Sequence, residues 1–378
     1  APAAAPIAVS GAPIDIASAT ALRQLLYGKD KSPLPCFNQP WMKQGLFFSD
    51  VPGLGYGLVQ PEGGPCGSLA AVQAFTIVHL MWGAASGVDP AAAWDQPTPA
   101  RQRTALLHAI TDIIWRAVPA VSGAGRSGTA ILALKGARAH FRSTPSYPVD
   151  GLTERLVLQR ATSREALQGL VEANLDMFTE PYGPGVPLVS YSAMLTRGVG
   201  DDGCMSDMDQ GFGAATMIGR HNYATQEMVN LLLTGRAHSN VFNGVKSFDG
   251  DLVLHGVPAR GVVGMLSLFE NYGHIEVGTF MKEPEYPVWV VCSESHYSVI
   301  FSPVQGTQTL PTSKPVDLFY FDGLGQQDEV YKLTVDPSPS PPLDPDTCKS
   351  DDNPPVDLCL RTKWVGASVD WNGSEALL

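Results

Sequence analysis

Between Gly67 and Trp82 the chain carries no proline and no charged side chain, and apolar residues fall on every side of a helical projection. A helix that is apolar all round belongs inside a large domain, not on its surface. The segment feeding it reads Gln60-Pro-Glu-Gly-Gly-Pro-Cys66. Gly63 and Gly64 allow backbone geometry or close approach that a Cβ forbids, and Pro65 suits a first helical turn, where its missing N–H has no intrahelical partner anyway. Cys66 is therefore expected at or beside the N-terminus of a buried central helix.

Elsewhere the pattern is more ordinary. Helical spacing of apolar residues predicts helices over Ala17–Tyr27 (ended by Gly28), Ala100–Val118, Glu154–Met177 and Tyr223–Leu233 (ended by Thr234-Gly235), with a shorter one over Gly261–Glu270. Short strands are expected at Leu46–Phe48 and within Ala130–Phe141. Tyr182–Pro187 is a break, and Asp201–Gly213 reads as an acidic loop. The C-terminal third changes character: strand-like runs at Asp251–Gly256, Pro287–Cys292, Tyr297–Phe301, Asp317–Asp322 and Glu329–Val335 are separated by Gly and Pro, and Leu358–Trp364 reads as a closing strand. Residues 336–357, rich in Pro, Asp and Ser, have too little apolar content to offset ordering and are expected to be a mobile insertion. Residues 1–15, rich in Ala and Pro, are expected to be flexible. With no internal repeat, residues 16–378 read as one large α+β domain, helices first and then a mainly antiparallel sheet.

Composition narrows the function classes. Of 378 residues, 44% are hydrophobic and 16% charged, which is globular usage with a sizeable core. A net charge of −12 argues against nucleic acid as a partner, since phosphate binding needs a basic face. No run of about 20 apolar residues predicts a membrane span. The six cysteines are widely spread, with no CxxC or CxxH pair and no HExxH, so no metal or cofactor is expected. Reduced thiols in a cytosolic or nuclear compartment fit that usage. Gly123–Gly128 matches the bare G-x-G-x-x-G string, but it follows a helix-like segment and lacks a surrounding βαβ unit, so no nucleotide site is expected.

The chemistry gathers around Cys66. Free N–H groups and the dipole of a helix N-terminus stabilise a thiolate, the reactive form of cysteine. Gln60, six residues earlier, is within reach across the Gly-Gly turn and supplies a neutral donor suited to an oxyanion. The alternative is a small buried thiol that only packs. His296, in the polar Ser293-Glu-Ser-His296 kink between two apolar strands, is the candidate proton carrier; the alternative is a core histidine. Asp322, at the end of the strand Phe319-Tyr-Phe-Asp322-Gly, is a candidate to orient the imidazole, with Asp317 the runner-up and an Asp-Gly hairpin turn the plainer reading.

These segments carry a resemblance. Gln60-x-x-Gly-Gly-Pro-Cys66-Gly-x-Leu-Ala-Ala-Val-Gln-Ala resembles the catalytic-cysteine segment of the MINDY family of deubiquitinases. The likeness continues through Thr225–Ala237, Asn240-Val-Phe, Glu276-Val-Gly, Trp289–His296, Tyr320–Leu324 and Thr362–Ala367. It implies a papain-like cysteine isopeptidase that trims polyubiquitin, with preference for chains linked through ubiquitin lysine forty-eight. On that likeness Cys66 is the nucleophile, His296 the general base and acid, and Gln60 the oxyanion donor; Asp322 goes beyond it. Glu62, Asp207 and Asp209 are acidic candidates for seating ubiquitin's basic tail. Two other classes stay open: a ubiquitin-binding module without turnover, and a cysteine protease or amidase acting on other amides.

Overall fold

The computed structural model describes residues 10–83, 94–121, 125–209, 215–248, 252–304, 310, 313–339 and 353–376. The chain sorts into two compact units. One draws on the stretch up to Phe47 and on Ile110–Ala237, the other on Phe48–Ala109 and the stretch from His238 onward.

In the first unit, strands β1 (Ala12–Pro13), β2 (Ala130–Lys135) and β3 (Leu156–Ala161) form an antiparallel sheet in the order β1-β3-β2. Of the N-terminal segment expected to be flexible, residues 1–9 lie outside the described residues, while Asp15 caps the helix Ile16–Tyr27 by accepting from the Ser18 N–H at 2.7 Å. The helix expected over Glu154–Met177 is instead strand β3 followed by a helix over Arg164–Thr179. Ser163 divides them, its hydroxyl accepting the Ala166 N–H at 3.1 Å as an N-cap. The helix Gly185–Arg197 starts inside the expected break, because Pro187 falls in a first turn where its N–H is not needed. Within the expected acidic loop, Cys204–Asp207 is a helical turn, and residues 210–213 lie outside the described residues.

A buried ion pair ties this unit together. Asp207 accepts from Arg197 Nε and Nη2, both at 2.8 Å, and also from the backbone N–H of Ala237 at 3.1 Å. Its carboxylate is almost fully covered.

The second unit is built on a six-stranded sheet: β4 (Gly264–Ser267), β5 (Val288–Ser293), β6 (His296–Phe301), β7 (Val316–Phe321), β8 (Tyr331–Asp336) and β9 (Ser368–Asp370). The order follows the sequence, and every pairing is antiparallel except β4 with β5. The short helix expected over Gly261–Glu270 is confined to Leu268–Asn271, and strand β4 stands before it; a short, fully buried apolar run carries no period to tell the two apart. Leu358–Trp364 is likewise not the closing strand. It belongs to a helix over Pro355–Lys363, begun by a proline in its first turn and ended by Arg361 and Lys363, which suit the negative end of the dipole. Residues 340–352 of the expected insertion, Cys348 among them, lie outside the described residues. Leu46–Phe48 contributes only one bridge, Phe48 with Leu58.

Strand alternation assigns the two sheet faces. Trp289, Val291, Ile300, Leu318, Tyr320 and Leu333 share a core with Val356, Leu358 and Leu360 of the C-terminal helix. Tyr297, Val299 and Phe321 face the other way, toward the central helix Cys66–Trp82, whose residues are all buried except His79 and Trp82. Among the described residues, no helix is long and apolar enough to cross a membrane.

Asp207→Ala leaves the Arg197 guanidinium buried without its carboxylate. We expect a loss of about 3–5 kcal/mol in the stability of the first unit, read as an earlier transition in chemical denaturation.

Candidate functional site

The four residues singled out in the sequence all lie in the second unit. Cys66 is the first residue of the central helix, after Pro65 as N-cap, and only 2% exposed. Its backbone N–H is one of the first-turn amides that an α-helix leaves without an internal partner. Its Sγ lies 3.9 Å from the Ser295 carbonyl oxygen.

His296 opens strand β6 directly after a two-residue loop, Glu294-Ser295, that joins it to β5; Ser293 and His296 are a cross-strand pair. Glu294 adopts a φ of 54°, a left-handed conformation that costs a non-glycine residue energy and is sustained by its surroundings. Strand β7 pairs with β6 through Val299 and Phe321. Continuing that register puts Asp322 opposite Ser298, one diagonal step from His296 on the same face. The side chains meet there, His296 Nε2 lying 2.8 Å from Asp322 Oδ1. Asp317 is excluded as the partner by the same alternation. It is exposed on the other face of the strand and is held by Lys332 Nζ and Thr334 Oγ1, both at 2.8 Å.

Asp322 is itself fixed. Its Oδ1 also accepts the backbone N–H groups of Leu324 at 2.9 Å and Gly325 at 3.2 Å, and its own N–H donates to Gln327 Oε1 at 3.1 Å. The buried Gln327 then donates through Nε2 to the carbonyls of Glu329 and Tyr320.

Burial of the His296 ring disfavours its charged form. Hydrogen bonds to Asp322 and to the Cys66 side chain, with the charge of each, outweigh that and raise its pKa to about 10. With Nε2 taken by the carboxylate, Nδ1 is the ring nitrogen left for sulfur. A cleft of about 270 Å³ opens on His296 and Asp322, lined also by Glu294, Ser295, Tyr320, Gln327 and Tyr331.

Gln60 is buried and lines a small cavity together with Cys66 and Gly323. Its backbone N–H donates to the Gly323 carbonyl at 2.9 Å, and its Nε2 donates to the Glu62 carbonyl at 2.8 Å. Close approach demands glycine twice here. A Cβ on Gly57 would lie 2.0 Å from the Phe321 ring, and one on Gly323 would lie 2.5 Å from the Leu58 carbonyl oxygen. The segment leading to Gln60 is thus pressed flat against the end of β7, the same strand end that carries Asp322.

The other described cysteines lack such surroundings. Burial pushes the Cys292 thiol up to about 11 and raises those of Cys36, Cys204 and Cys359. Of the acidic candidates for a basic tail, Asp207 is buried in its ion pair, whereas Glu62 is exposed and Asp209 half-buried. Gly123 and Ala124 of the glycine-rich string lie outside the described residues, and Arg126 donates to the carbonyls of Arg116 and Val118. Among the described residues, no group of three or more His, Cys, Asp or Glu is placed to hold a metal ion. Sequence reasoning missed Gln327 and Gln73. The one available signal was for Gln73, the lone carboxamide in a mainly apolar helix.

Residues 23–373 match a family model described as deubiquitinating enzyme MINDY-3/4, conserved domain. The chain is 42% identical over 375 residues to a Mus musculus protein named probable ubiquitin carboxyl-terminal hydrolase MINDY-4, covering 97% of this chain and 47% of that protein. The Homo sapiens protein of the same name gives 42% over 374 residues, covering 97% and 46%. The Homo sapiens ubiquitin carboxyl-terminal hydrolase MINDY-3 gives 30% over 276 residues, covering 68% and 59%. This chain spans about half the length of the MINDY-4 relatives it matches. No solved structure matches it. A match running through nearly the whole chain, with the Gln60, Cys66, His296 and Asp322 segments all inside it, makes this chain a member of the MINDY-3/4 deubiquitinase domain family.

Proposed function

We propose that this chain is a papain-like, cysteine-dependent deubiquitinase that hydrolyses isopeptide bonds in polyubiquitin, with preference for chains linked through ubiquitin lysine forty-eight. The observation that carries the reading is the chain of contacts from the Asp322 carboxylate, 2.8 Å from His296 Nε2, through the imidazole to a thiol at a helix N-terminus. An imidazolium that persists through neutral pH holds a proton ready for a leaving amine.

The sulfur of Cys66 attacks the carbonyl carbon of ubiquitin's terminal glycine. As the C–N bond breaks, His296 delivers its proton to the departing lysine amine, leaving a thioester on Cys66. His296 then takes a proton from water, hydroxide attacks the thioester carbonyl, and ubiquitin leaves as a carboxylate. Both steps pass through an oxyanion. The Cys66 backbone N–H and the Gln60 carboxamide are the donors for it. That carboxamide has two N–H groups, so donation to Glu62 leaves one to aim. Asp322 keeps Nδ1 turned toward sulfur and stabilises the charged ring.

The test is a time course against ubiquitin chains of differing linkage and length. Cys66→Ala is expected to abolish cleavage, and chains linked through lysine forty-eight to be cut fastest. Chain binding without products would favour a ubiquitin-binding module, and no contact with ubiquitin would favour an amidase for other substrates. Gln60→Ala is expected to lower kcat about a hundred- to a thousandfold, the usual consequence of removing one oxyanion donor.

The pH dependence follows from His296. The charged ring is needed to protonate the leaving amine, so the alkaline limb of the rate profile should fall near pH 10. Asp322→Asn removes the carboxylate that favours the charged ring and leaves burial, which disfavours it. The limb should therefore move toward lower pH, as measured by kcat/KM across a buffer series.

A further inference from the structure

We propose that Gln73 is a positioning residue that holds the oxyanion arm, Tyr56–Gln60, in place above the nucleophile. The inference rests on the reading of Gln60 as an oxyanion donor and names what fixes that donor's position.

Gln73 lies on the central helix seven residues after Cys66, about two turns along on nearly the same face. It is 2% exposed, and both ends of its carboxamide are used on the arm. Oε1 accepts the Leu58 N–H at 2.5 Å, and Nε2 donates to the Tyr56 carbonyl at 2.8 Å. That is the donor-and-acceptor pair a neighbouring β-strand would offer, supplied here by one side chain. Between the two bonds sits Gly57, whose absent Cβ admits the Phe321 ring. The Gly57 carbonyl also accepts the Ser49 N–H at 2.8 Å, and further along the Gln60 N–H donates to the Gly323 carbonyl at 2.9 Å. The arm's buried Leu58 N–H and Tyr56 carbonyl would lose these partners without Gln73, and unmet backbone groups of that kind drive local rearrangement. A shift of the arm carries Gln60 with it. Cys66, at the end of the helix, and His296, on strand β6, are held by other contacts and stay in place.

Gln73→Met keeps the length of the side chain and removes both bonds. Its kcat on ubiquitin chains should fall about tenfold to a hundredfold, the effect of a misplacement of about 1 Å, with KM unchanged within about twofold. A ubiquitin carrying a C-terminal bromoethylamide supplies the second readout. Sulfur displaces bromide there without forming an oxyanion, so the labelling rate of Cys66 should match wild type. The double variant with Gln60→Ala should be no slower than Gln60→Ala alone, since the two losses act through one donor. Gln73→Glu, which retains the acceptor for Leu58 but faces the Tyr56 carbonyl with a carboxylate, should be impaired in kcat with labelling preserved. Wild-type kcat in Gln73→Met would overturn the proposal. So would labelling that falls in parallel with turnover, which marks a merely structural role, or losses that add in the double variant. A wild-type chain that neither cleaves nor is labelled would overturn the reading of the site itself, an outcome distinct from all of these.

Discussion

A helix without a polar side has to be covered all round, and the rest of the second unit is arranged to meet that demand. One sheet face takes the side of the central helix formed by Leu69, Ala70 and Gln73, where Tyr297, Val299 and Phe321 approach it. The Tyr56–Gln60 arm closes over part of the same surface. The helix's first residue, Cys66, lines the small cavity that Gln60 and Gly323 share, whereas the larger cleft opens on His296 and Asp322. A thiol there is shielded from water yet lies beside groups that remain partly open, with the His296 side chain 28% exposed. Charge interactions gain strength in such surroundings, because little solvent lies between the partners.

Strand ends supply the remaining polar groups. His296 and Asp322 come from neighbouring strands whose pairing continues the flat apolar ladder of Val299 and Phe321, so their separation is set by hydrogen-bonded backbone and not by flexible side chains. Side-chain carboxamides then fasten what the ladder does not reach. Gln327 clasps the turn that carries Asp322. The carboxamides of Gln73 and Gln327 each meet backbone groups at both ends, which holds the arm and the turn still before any substrate arrives.

Much of this was readable before the structure. The absence of charge from Gly67 to Trp82 announced a buried helix, and the Gly-Gly-Pro approach located its start at Cys66. The polar kink between two apolar strands proved to be the Glu294-Ser295 loop, with His296 at its exit. Other features had no local signature. Leu358-Cys-Leu alternates no differently in a short helix than in a strand, and only the core it shares with Trp289 and Tyr320 decides its form. Gly264–Ser267 is buried on both faces and so shows no period. The choice between Asp317 and Asp322 turns on the parity of a strand register that one sequence does not display. Glutamine clamps are quieter still, since the residue type says nothing about which backbone it meets.

The short run of strand β6 from His296 to Val299 limits how such a chain can vary. Successive residues of a strand point to opposite faces, so one residue added or removed between His296 and Val299, with the Val299–Phe321 pairing kept, would invert the ring's direction. The imidazole would leave Asp322 for the side occupied by Val299 and Phe321. Chemistry at the loop's tip is therefore free to drift, while the spacing after it is locked: substitutions at the tip alter the cleft's rim, and a single insertion downstream of His296 disassembles the centre without touching any of its members.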